Sequence, residues 1–222
     1  MKIKLLLLLV LCMFTMGSCF EIIEEFNLQS DGSGSFKMTV NLSQSKTKLA
    51  SIMLLDSING SKVPDEKLIL SKINQLEEVL GGYAGISEVK SNANFDDFIF
   101  TLSCNFQDVE ALNTIANHIK SMDKKNLFAT DTKPHITFDG ATFKRSQNFN
   151  LSAINNRING ENREIIKGAS LRTILRFENT IKSASNPASK ISKNKKAIMT
   201  KVGISDLISN KASVENTITI NK

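Results

Sequence analysis

Tryptophan is absent from this 222-residue chain and tyrosine occurs once. A nucleic-acid interface built on stacked aromatics interleaved with cations is therefore not expected, and no recognition motif stands in for one. Three prolines and 11 glycines exclude collagen-like and low-complexity architectures. The two histidines, His118 and His135, have no second histidine or cysteine at ligand spacing, which argues against zinc. Long apolar runs are missing after the amino terminus. Ser51–Leu55 and Leu68–Leu70 fall far short of the roughly 20 residues that a membrane-crossing helix needs. What is present suits a folded protein: 41% of residues are hydrophobic and 23% charged, with both signs represented. That balance excludes disorder, and a chain of this length can bury a core without metal or disulfide staples.

The amino terminus reads MKIKLLLLLVLCMFTMGSCF. Lys2 and Lys4 form a positive region, Leu5 to Phe14 an apolar one, and Thr15 to Ser18 a short, less apolar stretch. That order is the secretory signal pattern, so residues 1–18 are expected to be a signal peptide and 19–222 an extracytoplasmic chain. Gly17-Ser18-Cys19 resembles the lipobox of bacterial lipoproteins, with Met16 standing where leucine is commonest. The resemblance implies that the Cys19 thiol takes a diacylglycerol as a thioether, that the signal is cut before it, and that the new amine is acylated. A thiol suits that role because its thiolate is alkylated under mild conditions. One acyl chain holds a protein at a membrane only marginally, whereas two or more hold it stably. The alternative is ordinary secretory cleavage with Thr15 and Gly17 as the small pair, which leaves Cys19 unmodified. Phe20, in place of the aspartate that favours inner-membrane retention in many diderm bacteria, points within the same resemblance to the outer membrane.

Cys12 leaves with such a signal and Cys19 is consumed by lipid, so Cys104 remains alone and no internal disulfide is expected. Phe98, Phe100, Leu102, Cys104 and Phe106 alternate with polar or smaller residues, which places Cys104 in a core as an inert thiol.

The strand pattern begins at once after Cys19. Phe20, Ile22, Phe26 and Leu28 share one face, and Glu21, Glu25, Asn27 and Gln29 the other. Asp31-Gly32-Ser33-Gly34 is a turn, and Phe36, Met38, Val40 and Leu42 alternate after it, giving a β-hairpin. Helices are expected over Lys46–Ile58, Asp65–Leu80 and Asp108–Met122. Strands are expected at Ile86–Lys90, Phe98–Phe106, His135–Phe138, Ala141–Arg145, Leu171–Glu178, Lys196–Val202 and Val214–Ile220. Residues 146–170 carry little pattern and offer the one candidate internal boundary. Hairpins separated by helices, without βαβ alternation, predict an α+β fold: a largely antiparallel sheet with about three helices packed on it.

Charge is uneven. Residues 19–143 hold 11 Lys/Arg and 17 Asp/Glu, whereas residues 144–222 hold 15 and 5. One reading is a basic face for anionic lipid or glycan. The favoured reading is that the two halves neutralise each other when folded together, because Lys190–Lys196 has loop composition without aromatics.

No catalytic motif emerges. A Gly-x-Ser-x-Gly elbow is missing, and Glu77-Glu78 and Asp96-Asp97, as sequence neighbours, point in different directions. No cofactor motif is present either. The sequence predicts a non-enzymatic envelope lipoprotein held by Cys19, with a binding or assembly role. The lipobox, the early hairpin and the Asn, Lys, Ile and Ser content resemble uncharacterised lipoproteins of Bacteroidetes-type bacteria, which implies no activity. Three classes make different structural predictions. A lipid- or glycan-binding module would carry an apolar pocket between sheet and helices, and an assembly subunit bound to an envelope protein would show an exposed apolar patch. An enzyme would need a polar cluster such as His135, Asp139 and a basic residue. A linker of essentially zero residues after Cys19 also predicts that this end of the hairpin faces the bilayer.

Overall fold

The computed structural model describes residues 20–58, 60–121, 135–147, 155–156 and 166–221. The expected signal peptide, Cys19 and most of the pattern-poor stretch 146–170 lie outside the described residues. Strands β1 (Glu21–Leu28) and β2 (Gly34–Asn41) form the expected hairpin. Asp31 closes its turn by accepting from Ser33 N at 2.9 Å and Ser33 Oγ at 2.7 Å. Gly34 is needed because a Cβ there would lie 2.0 Å from the Asn27 carbonyl oxygen.

Helix α1 (Lys46–Met53) is shorter than expected, because Ser57–Ile58 is strand β3, paired with β4 (Ser61–Lys62). Asn-Gly at 59–60 is as much a hairpin signal as a helix stop, and Gly60 lies at φ +78°. Helix α2 (Glu66–Gly81) is capped by the Asp65 carboxylate, which accepts from Leu68 N at 2.7 Å. Strands β5 (Ile86–Asn94) and β6 (Ile99–Phe106) follow, then helix α3 (Val109–Ser121) with Asp108 accepting from Ala111 N at 2.9 Å. The second expected hairpin is β7 (Ile136–Phe138) and β8 (Thr142–Arg145), turned by Asp139, which accepts from Ala141 N and Thr142 N. Next come β9 (Ser170–Phe177), β10 (Ile181–Ala184), β11 (Ser189–Ile191), β12 (Ala197–Gly203), the short α4 (Ile204–Ile208) and β13 (Asn216–Ile220).

The fold is α+β, as the pattern predicts, but its strands divide between two main sheets. One has seven strands in the order β11-β12-β9-β1-β2-β6-β5, and the other has four in the order β10-β13-β8-β7. Among the described residues every pairing is antiparallel except β1 with β9, which runs parallel from Glu21↔Ser170 to Leu28↔Phe177. The four-stranded sheet covers one half of the large sheet's inner face. Phe26, Leu28, Leu175 and Phe177 pack there against Phe143, Ile181, Ile218 and Ile220 in the main core. Helices α2 and α3 cover the other half: Glu77 accepts from Ser91 N at 3.0 Å, and Asn113 bonds both the N–H and the carbonyl of Ile136. The second core cluster holds Leu171, Val202, Leu207 and Val214, joined by Ile22 and Ile204.

Candidate functional site

On the inner face of β1 the apolar phase of Ile22, Phe26 and Leu28 is interrupted by Glu24. Its register neighbour on β9 is Thr173, which neighbours Thr200 on β12, which in turn neighbours Ser189 on β11. A polar row thus crosses the sheet between the two core clusters. The facing sheet answers it with a register pair, Arg145 of β8 and Asn216 of β13. Arg145 Nη1 donates to Glu24 Oε2 at 2.5 Å and to Thr173 Oγ1 at 2.6 Å, and its Nη2 donates to Glu24 Oε1 at 3.2 Å. Asn216 Nδ2 donates to Ser189 Oγ at 2.9 Å, and Ser189 shares a 2.7 Å hydroxyl bond with Thr200. Asn186 joins through its own N–H to Asn216 Oδ1 at 3.1 Å.

Burial opposes charge on Glu24. Arg145's charge and hydrogen bonds, with the Thr173 hydroxyl, nonetheless hold its carboxyl below the ordinary glutamate value. The Arg145 side chain is only 2% exposed, and its Nε finds no partner among the described residues. His135 lies close enough to feel both charges. Burial first, then repulsion from Arg145, pushes its imidazole down to about 4 despite the pull of Glu24. At neutral pH it is therefore uncharged.

Beside this polar group lies an apolar cavity of about 220 Å³ between the large sheet and helices α2 and α3. The sheet contributes Phe26, Phe36, Met38, Leu102 and Cys104. Leu76 and Leu80 come from α2, Leu112, Ile115 and Ala116 from α3, and Ile136 from β7. Glu24 and His135 are the polar members of the lining. The periodicity that places these side chains together is simple. Period two turns every second residue of β2 and β6 inward, and the three- and four-residue spacing of Leu112, Ile115 and Ala116 puts them on one face of α3. Many of these residues are only partly buried, as expected for a lining and not for a filled core. Cys104 is buried, and burial raises its thiol pKa, in keeping with an unreactive thiol in an apolar setting.

The other sequence candidates lie apart from this site. His118 sits on the exposed side of α3 with its ring 5.6 Å from that of Tyr83. Asp139 is occupied in the turn at the far end of its hairpin, so the structure brings His135 to Arg145 and Glu24 but not to Asp139. Cys19 lies outside the described residues. Among the described residues no group of three or more His, Cys, Asp or Glu side chains could hold a metal ion.

Sequence reasoning passed over Glu24, Arg145, Thr173, Thr200 and Asn216. The available signal was phase: Glu24 falls on the face of Ile22 and Phe26, and Arg145 on that of Phe143. An acid and a base each seated in an apolar register are candidates to meet. The uneven charge of the two halves is also resolved. Glu21 pairs with Arg172 at 2.8 Å and Lys201 at 3.1 Å, Glu25 with Arg176 at 3.0 Å, and Glu24 with Arg145. Acids of the first half thus pair with bases of the second, Glu21 and Glu25 within the large sheet and Glu24 across to the facing one.

No family model and no curated protein matches the chain. Among solved structures, the folded domain of the Mycobacterium tuberculosis LppM protein, determined by NMR, aligns with a TM-score of 0.40 and 9% identity. The alignment covers 93% of this chain and 92% of that one.

Proposed function

We propose that the protein is a lipid-anchored lipoprotein of the bacterial cell envelope, held by acylated Cys19 at the outer membrane. Its folded part acts as a non-catalytic binding module that shelters the apolar part of a small amphiphile. The observation that carries this reading is the cavity between the sheet and helices α2 and α3. An apolar cavity of about 150 Å³ already stays dry and admits a benzene-sized guest, and this one is about 220 Å³. Filling it removes apolar surface from water on both partners, which is the main driving force for such sites. The polar lining favours an uncharged head. Glu24 is committed to Arg145 and Thr173, and His135 offers a neutral imidazole. A ligand hydroxyl or ester is matched there, whereas a carboxylate meets no free cation among the described lining residues.

The reading makes two measurable demands. Acylated protein extracted in mild detergent should retain an amphiphile near one per chain by solvent extraction and mass spectrometry, and Ala116→Phe, which fills the cavity, should lose it. Equal lipid content in the two proteins would sink the ligand. Metabolic labelling with a palmitate analogue should mark the wild type and not Cys19→Ser, with membrane association lost together with the label.

A further inference from the structure

The strands of the large sheet end level where β1 begins. At this end Glu21 stands opposite Asn41 and Ser170, Asn41 opposite Ile99, Ile99 opposite Asn94, and Ser170 opposite Gly203. The chain is hydrogen-bonded up to Phe20, whose carbonyl accepts from Ser170 N at 3.0 Å. Cys19 is one peptide bond further, about 3.8 Å from Cα to Cα. Any lipid on it is therefore tethered to the middle of this end with almost no reach.

The excursion between β2 and α2 gathers at the same end. Leu42 N donates to Phe98 O at 2.9 Å, and Lys46 pairs with Asp97 at 3.3 Å, both on the turn between β5 and β6. Helix α2 runs antiparallel to β5, with Glu77 at Ser91 and Gly81 at Val89. At 1.5 Å per residue its start lies roughly 16 Å beyond Glu77, while β5 continues from Ser91 only about 10 Å to Asn94. The start of α2 therefore projects past the sheet, and the chain that leads to it from Lys46 both begins and ends at this end.

This segment is apolar where a water-facing loop would be polar. Helix α1 contains no buried residue, and after it Leu54 is 87% exposed and Leu55 51%. Leu68 and Leu70, in the first turns of α2, are 46% and 40% exposed. Scattered exposed leucines need no explanation, whereas an adjacent pair as exposed as Leu54 and Leu55 marks a contact surface. Of the two cations before them Lys46 is taken by Asp97, and the exposed Lys48 is the one that suits an anionic headgroup layer.

We propose that this segment is the membrane-contact surface, with Leu54 and Leu55 entering the interface of the same bilayer that holds Cys19 and Lys48 at its headgroups. The proposal rests on the lipoprotein reading above. The absence of tryptophan supplies the test. Full-length acylated Leu54→Trp is reconstituted in phosphatidylcholine–phosphatidylglycerol vesicles with and without brominated acyl chains, beside Asn105→Trp, which is exposed near the opposite end of the sheet. The first should emit at shorter wavelength and lose emission to the brominated lipid, and the second should do neither. Acylated protein that floats with vesicles while Leu54→Trp stays unquenched overturns the docking surface and leaves the anchor standing. Blue-shifted but unquenched emission overturns it too, since protein and not lipid then covers the leucine. A chain that carries no acyl group and does not float overturns both readings.

Discussion

Glu24 and Arg145 show how a single residue out of phase organises its surroundings. A carboxylate taken out of water is costly unless its lone pairs are filled, and here Arg145 and Thr173 fill them. Removing one partner should therefore cost far more than removing both. Arg145→Met is expected to lose about 3–5 kcal/mol, and Glu24→Leu with Arg145→Met much less, measured by urea unfolding. His135 yields a pH prediction. Its folded pKa of about 4 lies below the ordinary value near 6.5, so as pH falls the unfolded chain takes up the proton first. The stability this histidine contributes is complete above pH 6.5, drains as pH falls toward 4 and levels off below it. The total is about 3 kcal/mol. Urea midpoints followed across that range should slope in the wild type and flatten in His135→Gln. The signal for Glu24 was present in the sequence, because period two assigns it to the face of Ile22 and Phe26. Its partner was not, since nothing local connects positions 24 and 145.

Elements were legible where one face alternates or repeats cleanly. The hairpin of β1 and β2, the capped α2, and α3 with Leu112, Ile115 and Ala116 on one side follow from period, cap and turn chemistry. Short strands were not. β10 and β11 have four and three residues, too few for a period to stand out, and the parallel pairing of β1 with β9 depends on contacts across the chain. Asn113 is a feature of this scale. It is 2% exposed and gives β7, an edge strand, both a donor and an acceptor in place of a neighbouring strand. Asn113→Leu keeps the branching of the side chain but strands both backbone groups of Ile136. A loss of about 1–3 kcal/mol is expected, with faster amide hydrogen exchange at Ile136.

At the scale of the molecule, acids of the first half meet bases of the second within the large sheet and, at Glu24 and Arg145, between the two sheets. The individual pairs on the large sheet's open face are partly exposed, so each contributes little. Glu25→Gln, which removes the partner of Arg176, should shift stability by less than about 1 kcal/mol by the same urea assay. Their collective effect is to leave no strongly charged open face around β1. The cavity and the projecting leucines have a simple division of labour within the proposed function: the first takes a guest, the second fixes how the molecule stands on its support.

The position of β1 also decides how the protein bears a load. Under the proposed anchorage the protein is pulled at its tether, and the pull enters at residue 20, at the start of a central strand. That strand is held on one edge by eight register pairs to β2 and on the other by eight to β9. Force along the strand loads both ladders in shear, so the bonds must slip together instead of opening one at a time from an end. Forced unfolding is governed by the height of that barrier, not by equilibrium stability. An anchor on β11 or β5, each at an edge of the sheet, would hang from a single ladder.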